Sequence, residues 1–131
     1  MSDPLNERRE ISRGIVAIYK DYVGRGPTTA RTSINDDHVT TLCAGGLTKA
    51  ERKLVASGDD ETVREIRRKF QGAMRSDIID LVERVTSRKT MAFLSDHDVV
   101  EDIAVETLVF ADTRIAQLGD PPSGEDREQA E

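Results

Sequence analysis

Thr28-Thr29-Ala30-Arg31-Thr32-Ser33-Ile34-Asn35-Asp36-Asp37-His38-Val39-Thr40-Thr41-Leu42-Cys43-Ala44 decides the fold. Side chains of opposite character alternate on both sides of an Asn-Asp-Asp corner, the pattern of a β-hairpin. Ala30, Thr32 and Ile34 share one face of the first strand, and Val39 and Thr41 oppose Leu42 on the second. A matched segment runs from Lys89 to Ala111. Its first strand reads as Lys89–Ser95, with Met91 and Phe93 opposed to Ala92 and Leu94. Asp96 to Asp102 reads as a loop that opens on Asp96-His97-Asp98. Ile103 to Ala111 returns, with Ala104, Glu106, Leu108 and Phe110 on one face and Ile103, Val105, Thr107 and Val109 on the other.

Helices surround these hairpins. Asp3-Pro4 supplies a cap and a preset first helical residue. Ile11, Ile15, Ile18 or Tyr19, and Tyr22 then recur at helical spacing until Gly24. Thr48-Lys49-Ala50-Glu51 is a capping-box sequence that opens a short helix ending at Ser57-Gly58. Asp59-Asp60 can cap the long helix that follows. There Val63, Ile66, Phe70, Ala73, Met74, Ile78, Leu81, Val82 and Val85 form one apolar stripe. A further short helix is expected after Ala111, through Leu118. The sum is an α+β two-layer sandwich: a four-stranded, mainly antiparallel sheet made of two β-hairpins, with one long helix and shorter ones on one face. Which strands join the hairpins is not set by the pattern.

With 131 residues, the chain makes one domain, expected over 1–118. Tryptophan is absent and aromatics are 4%, so the core must be aliphatic around Phe70, Phe93 and Phe110. Residues 119–131 hold Asp120, Glu125, Asp126, Glu128 and Glu131 against Arg127, so most of the formal net charge of −6 is an acidic tail, expected to be disordered. The folded part is near neutral and poor in stacking aromatics, which argues against nucleic-acid binding. Cys43 stands alone and excludes an internal disulfide. No apolar run is long enough to span a bilayer, and Met1-Ser2-Asp3-Pro4 lacks a signal region, so a cytoplasmic location is expected.

Chemistry-bearing residues gather in a few places. Asp36, Asp37 and His38 in one turn, with Asp96, His97 and Asp98 in the other, could hold a divalent metal or serve acid–base work if the turns met in space. Their spacing matches no dedicated metal motif and no nucleophile stands beside them, so neither a metal, a cofactor nor a catalytic residue is expected. Arg25, Gly26 and Arg31 in the Gly24–Arg31 segment, and Gly45 and Gly46 ahead of Thr48, are anion-binding candidates, because backbone N–H groups at glycine turns cradle negative charge. Tight turns with solvated arginines account for the same residues. Arg64, Arg67, Arg68, Lys69 and Arg75 on the long helix are interleaved with acids and read as a solvated face with local ion pairs.

Ordered pieces of the chain resemble a known family. Tyr19-Lys20-Asp21-Tyr22-Val23-Gly24-Arg25-Gly26-Pro27 leads into Ala30-Arg31-Thr32. Gly45-Gly46-Leu47-Thr48 follows with Glu51, then Phe70-Gln71 and Met74-Arg75. Phe93-Leu94-Ser95-Asp96-His97 and Asp102-Ile103-Ala104-Val105-Glu106 complete the set. Together they resemble the small bacterial MpsC-like proteins over roughly residues 8–111. The resemblance implies a non-catalytic accessory or binding protein beside a membrane complex for sodium translocation or inorganic-carbon transport. It implies a protein partner and carries no catalytic residues over. Its most recognisable surface features are the Gly24–Pro27 turn and a surface loop at Ser95, Asp96, His97 and Asp98. An open sheet edge or apolar sheet face would also serve a homodimer.

Overall fold

The computed structural model describes residues 3–113. The chain runs α1 (Pro4–Val23), β1 (Thr29–Ile34), β2 (His38–Ala44), α2 (Lys49–Ala56), α3 (Asp60–Thr86), β3 (Thr90–Asp98) and β4 (Ile103–Phe110). The four strands form one sheet in the order β1-β2-β4-β3, and every pairing is antiparallel. The hairpins are therefore joined through their second strands. The fold is the expected α+β class, with the apolar faces of α1 and α3 laid over one sheet face.

Local chemistry sets the helix ends as the sequence indicates. Asp3 accepts from the Leu5 N–H at 3.2 Å, and Gly24 stops α1 at φ +88°. The Thr48–Glu51 box is closed in both directions. Asp59 makes no side-chain cap to α3 and instead accepts from the Thr62 hydroxyl. Gly14 lets α1 lie against α3, because a β-carbon there would stand 2.5 Å from Leu81.

Ile11, Ile15 and Tyr19 of α1 meet Met74, Ile78, Leu81, Val82 and Val85 of α3 over Val39, Cys43, Ala104, Leu108 and Phe110 of the sheet. Burying an aliphatic side chain of this size contributes about 1.5–3 kcal/mol. The opposite sheet face is uncovered, and Leu42, Leu94 and Ile103 are about half exposed there.

Two expectations are corrected, and the condition set for a joint site at the histidine turns is not met. The α3 stripe passes through Arg67, which is buried, whereas Ala73 is exposed. The first strand of the second hairpin extends to Asp98, so Asp96, His97 and Asp98 are strand residues and the turn shrinks to 99–102. Asp98 closes that turn by accepting from the Val100 and Glu101 N–H groups. The two acidic histidine segments do not meet. His38 pairs with Val109 and His97 with Ala104, five positions apart on β4, or roughly 17 Å. His97 faces the helices while His38 alternates with the buried Val39. A joint metal or acid–base site built from both is excluded by that register. The helix expected through Leu118 and the acidic tail lie outside the described residues.

Candidate functional site

The glycine turns come together. Thr28 N–H donates to the Ala44 carbonyl at 2.8 Å, and the Arg25 Nε–H reaches the Gly45 carbonyl at 3.2 Å. Gly45 sits at φ +75°, and a β-carbon there would stand 2.3 Å from the Thr28 hydroxyl oxygen, so glycine is required twice over. Beside this junction lies an open groove of about 590 Å³, lined by Val16, Lys20, Val23, Gly24, Arg25, Gly26, Pro27, Thr48 and Lys49. Of the anion-binding candidates, Arg25 and Gly26 line it. Gly45 and Gly46 stand behind it. The Gly46 and Leu47 N–H groups point inward to the Asp102 carboxylate at 3.1–3.2 Å. The anion on that glycine pair is thus a side chain of the chain itself. Arg31 projects from the exposed side of β1, near Leu42 and Ile103.

The residues expected on a surface loop divide by strand alternation. Asp96 and Asp98 are exposed. His97 is 7% exposed, and its Nε2 lies 3.0 Å from Asp102 Oδ1. Ser95 has its hydroxyl turned inward, opposite Glu106 in the register.

His97 and Ser95 border a charged interior that sequence reasoning missed. Arg67 is 2% exposed, and its guanidinium grips Glu51 through Nε and Nη2 at 2.8 and 2.7 Å. The same Nη2 donates to the Gly46 carbonyl at 2.7 Å. Burial alone would raise the Glu51 pKa, but the Arg67 and Thr48 hydrogen bonds outweigh it and hold the carboxyl below its ordinary value. His97 is pushed below its ordinary value, mainly by burial and also by the Arg67 charge, against the pull of Asp102.

One rung further along the sheet, Glu106 is wholly buried and accepts a hydrogen bond from the Tyr19 hydroxyl. Burial lifts its carboxyl from 4.5 to about 7, against the neighbouring Ser95 and Tyr19 hydroxyls. Tyr19 is in turn pushed up by burial and by Glu106. Cys43 is pushed up to about 12 for the same two reasons, which makes it a poor nucleophile. Among the described residues, Arg67 Nη1 and His97 Nδ1 are buried without a hydrogen-bond partner. With Ser95 and Glu106 beside them in the register, they put polar side chains of α3, β3 and β4 inside the helix-on-sheet interface. Among the described residues, no group of three or more His, Cys, Asp and Glu side chains is placed to hold a metal ion.

These features define a small helix-on-sheet protein with a basic surface groove and a charged interior behind it. The chain belongs to the MpsC family: residues 6–112 match the family described as "Na+-translocating membrane potential-generating system (MpsC)". It is also similar to the uncharacterized protein YbcI of Bacillus subtilis (strain 168), with 32% identity over 90 residues, covering 66% of this chain and 71% of that protein. No solved structure matches it.

Proposed function

We propose that the chain is a non-catalytic accessory protein that binds a component of a membrane transport system, one translocating sodium ions or taking up inorganic carbon. The observation that carries this reading is the family match over residues 6–112, whose description names a Na+-translocating system. Among the described residues no helix is long and apolar enough to cross a membrane, which fits a subunit that docks rather than conducts. The buried carboxyl, histidine and arginine do not converge with an activated nucleophile, and this too favours binding over catalysis. We place the protein in the cytoplasm, at the membrane's inner side. The uncovered sheet face with Leu42, Leu94 and Ile103 is where we place self-association, and light scattering across a concentration series reads it directly.

The test is an affinity pulldown of the tagged protein from its own host, with detergent-solubilised membranes included and mass spectrometry as readout. Recovery of a transport subunit supports the accessory reading. Recovery of the bait alone refutes it.

A further inference from the structure

We propose that the groove between the end of α1 and the start of α2 docks an acidic peptide segment of a partner protein, with one apolar side chain among its carboxylates. That the partner is a transport component rests on the accessory reading above.

The lining carries the argument. Lys20, Arg25 and Lys49 converge on the groove, and among the described residues no Asp or Glu lines it. The folded part as a whole is near neutral, so this groove is a local concentration of positive charge. Lys20 and Lys49 are exposed and have no ion pair or side-chain hydrogen bond among the described residues. Arg25 is held in place by its bond to the Gly45 carbonyl. Val16, Val23 and Pro27 also line the groove. Apolar side chains among cations suit a partner that brings an anchor residue flanked by negative charge.

The groove is also prebuilt. A β-carbon at Gly26 would stand 2.8 Å from the Val16 side chain and 3.0 Å from its carbonyl oxygen, so glycine sets how closely the connector approaches α1. Gly46, against Pro27, is fixed from inside by Arg67 and Asp102. A fixed cleft loses little conformational entropy on binding. Cations and apolar side chains set side by side suit a single extended chain that carries both chemistries.

The probe is a short fluorescein-labelled peptide of Glu and Asp around a central Leu, titrated in fluorescence anisotropy at low and high salt. The proteins are the full chain, Lys20→Glu/Lys49→Glu, and the control Lys69→Glu/Arg84→Glu, which reverses the same charge at exposed positions of α3 that do not line the groove. Binding should weaken with salt, fall by about tenfold or more in the groove variant, and survive in the control. Thermal melts of both variants should match the parent, since none of these side chains has a partner to lose among the described residues. Absence of peptide binding by the full chain overturns the proposal. So does equal weakening in both variants, which would mean diffuse charge. Competition by inorganic phosphate as complete as by unlabelled peptide would reduce the groove to a plain anion site and also overturns it. Sedimentation of the full chain by phosphatidylglycerol vesicles, without peptide binding, would assign the cations to lipid instead. Repeating the pulldown with the groove variant separates the two readings. A transport subunit recovered equally by both proteins refutes the groove and leaves the accessory role. Groove-dependent peptide binding with no subunit recovered does the reverse.

Discussion

Replacing Glu106 by Gln should flatten one specific part of the stability-versus-pH curve. The folded carboxyl titrates at about 7 against an ordinary 4.5. Because the folded pKa is the higher one, both states hold the proton below 4.5 and the group contributes no pH dependence there. Between 4.5 and 7 the unfolded chain releases its proton while the native state keeps it, so stability falls as pH rises. Above 7 both states are ionised and the loss is complete. A difference of that size corresponds to roughly 3 kcal/mol at most. Gln has the same shape, can still accept from the Tyr19 hydroxyl, and does not titrate.

His97 and Glu51 also shape the curve, in the opposite sense, because their folded pKa values are depressed and stability is lost as pH falls through them. The quantity to compare is therefore the difference between parent and Glu106→Gln, in which those contributions cancel. Urea unfolding followed by far-UV circular dichroism at pH 5, 6, 7 and 8 measures it. Part of the loss is already present at pH 5, so about 2.5 kcal/mol falls between pH 5 and 8, and with a denaturant slope near 2 kcal/mol/M the midpoint gap should shift by about 1.2 M in favour of Gln. Parallel midpoints at all four pH values would refute the reasoning, because they would mean that Glu106 titrates alike in both states.

Other perturbations have defined outcomes. Glu51→Gln leaves Arg67 buried beside a neutral amide and should cost about 3–5 kcal/mol, read as a fall in the urea midpoint. Asp102→Ala removes the acceptor for the Gly46 and Leu47 N–H groups and the partner of His97, and should lower thermal stability by several degrees more than Asp98→Ala at the other end of the same turn. Gly45→Ala combines a positive φ with an overlap on Thr28 and should destabilise by about 1–3 kcal/mol, while Gly72→Ala, with open space around it, should be neutral or stabilising in the same melt. Cys43 should react with a thiol reagent at pH 8 only as fast as the domain unfolds, so its labelling rate should rise with urea along with the loss of helix signal.

Much of the architecture was legible because local rules and burial agree. The corner at Asn35-Asp36-Asp37, the capping box at Thr48 and the stop at Gly24 each follow from one residue type with one conformational preference. The interior was harder to read, although both of its main charges left a trace. Arg67 lies four positions after Val63 and seven before Met74, squarely on the stripe that turns toward the sheet. A reading that counts only apolar residues steps around it and fills the gap with Ile66. Glu106 alternates with Ala104, Leu108 and Phe110, so the period of two already placed it on an apolar face. What the chain order could not supply was the partner of each: Tyr19 is 87 positions from Glu106, and Glu51 is 16 from Arg67. A charge on an apolar stripe is best read as a demand for a buried partner elsewhere. The strand end at Asp98 was missed for a related reason. Asp and His there resemble turn chemistry, but pairing with β4 outweighs their weak strand propensity.

Gly46 explains why a charged interior and a surface groove occur in the same small domain. Its carbonyl receives Arg67, its N–H is held by Asp102, and its side-chain side faces Pro27 on the groove side, where an added β-carbon would stand at 3.7 Å. Arg67 comes from α3, Asp102 from the turn before β4, and Pro27 from the connector after α1. One residue without a side chain therefore sits where three segments of the chain meet. An apolar core could bury the same area at lower electrostatic cost, but apolar contacts are non-directional and would let the α2 turn slide along the sheet. A planar guanidinium donating to the Gly46 carbonyl and a carboxylate accepting from the Gly46 and Leu47 N–H groups fix the peptides on either side of Gly46. The buried ion pair is thus better understood as setting the position of the groove wall than as adding net stability, a role that fits the weak stabilisation buried pairs usually provide.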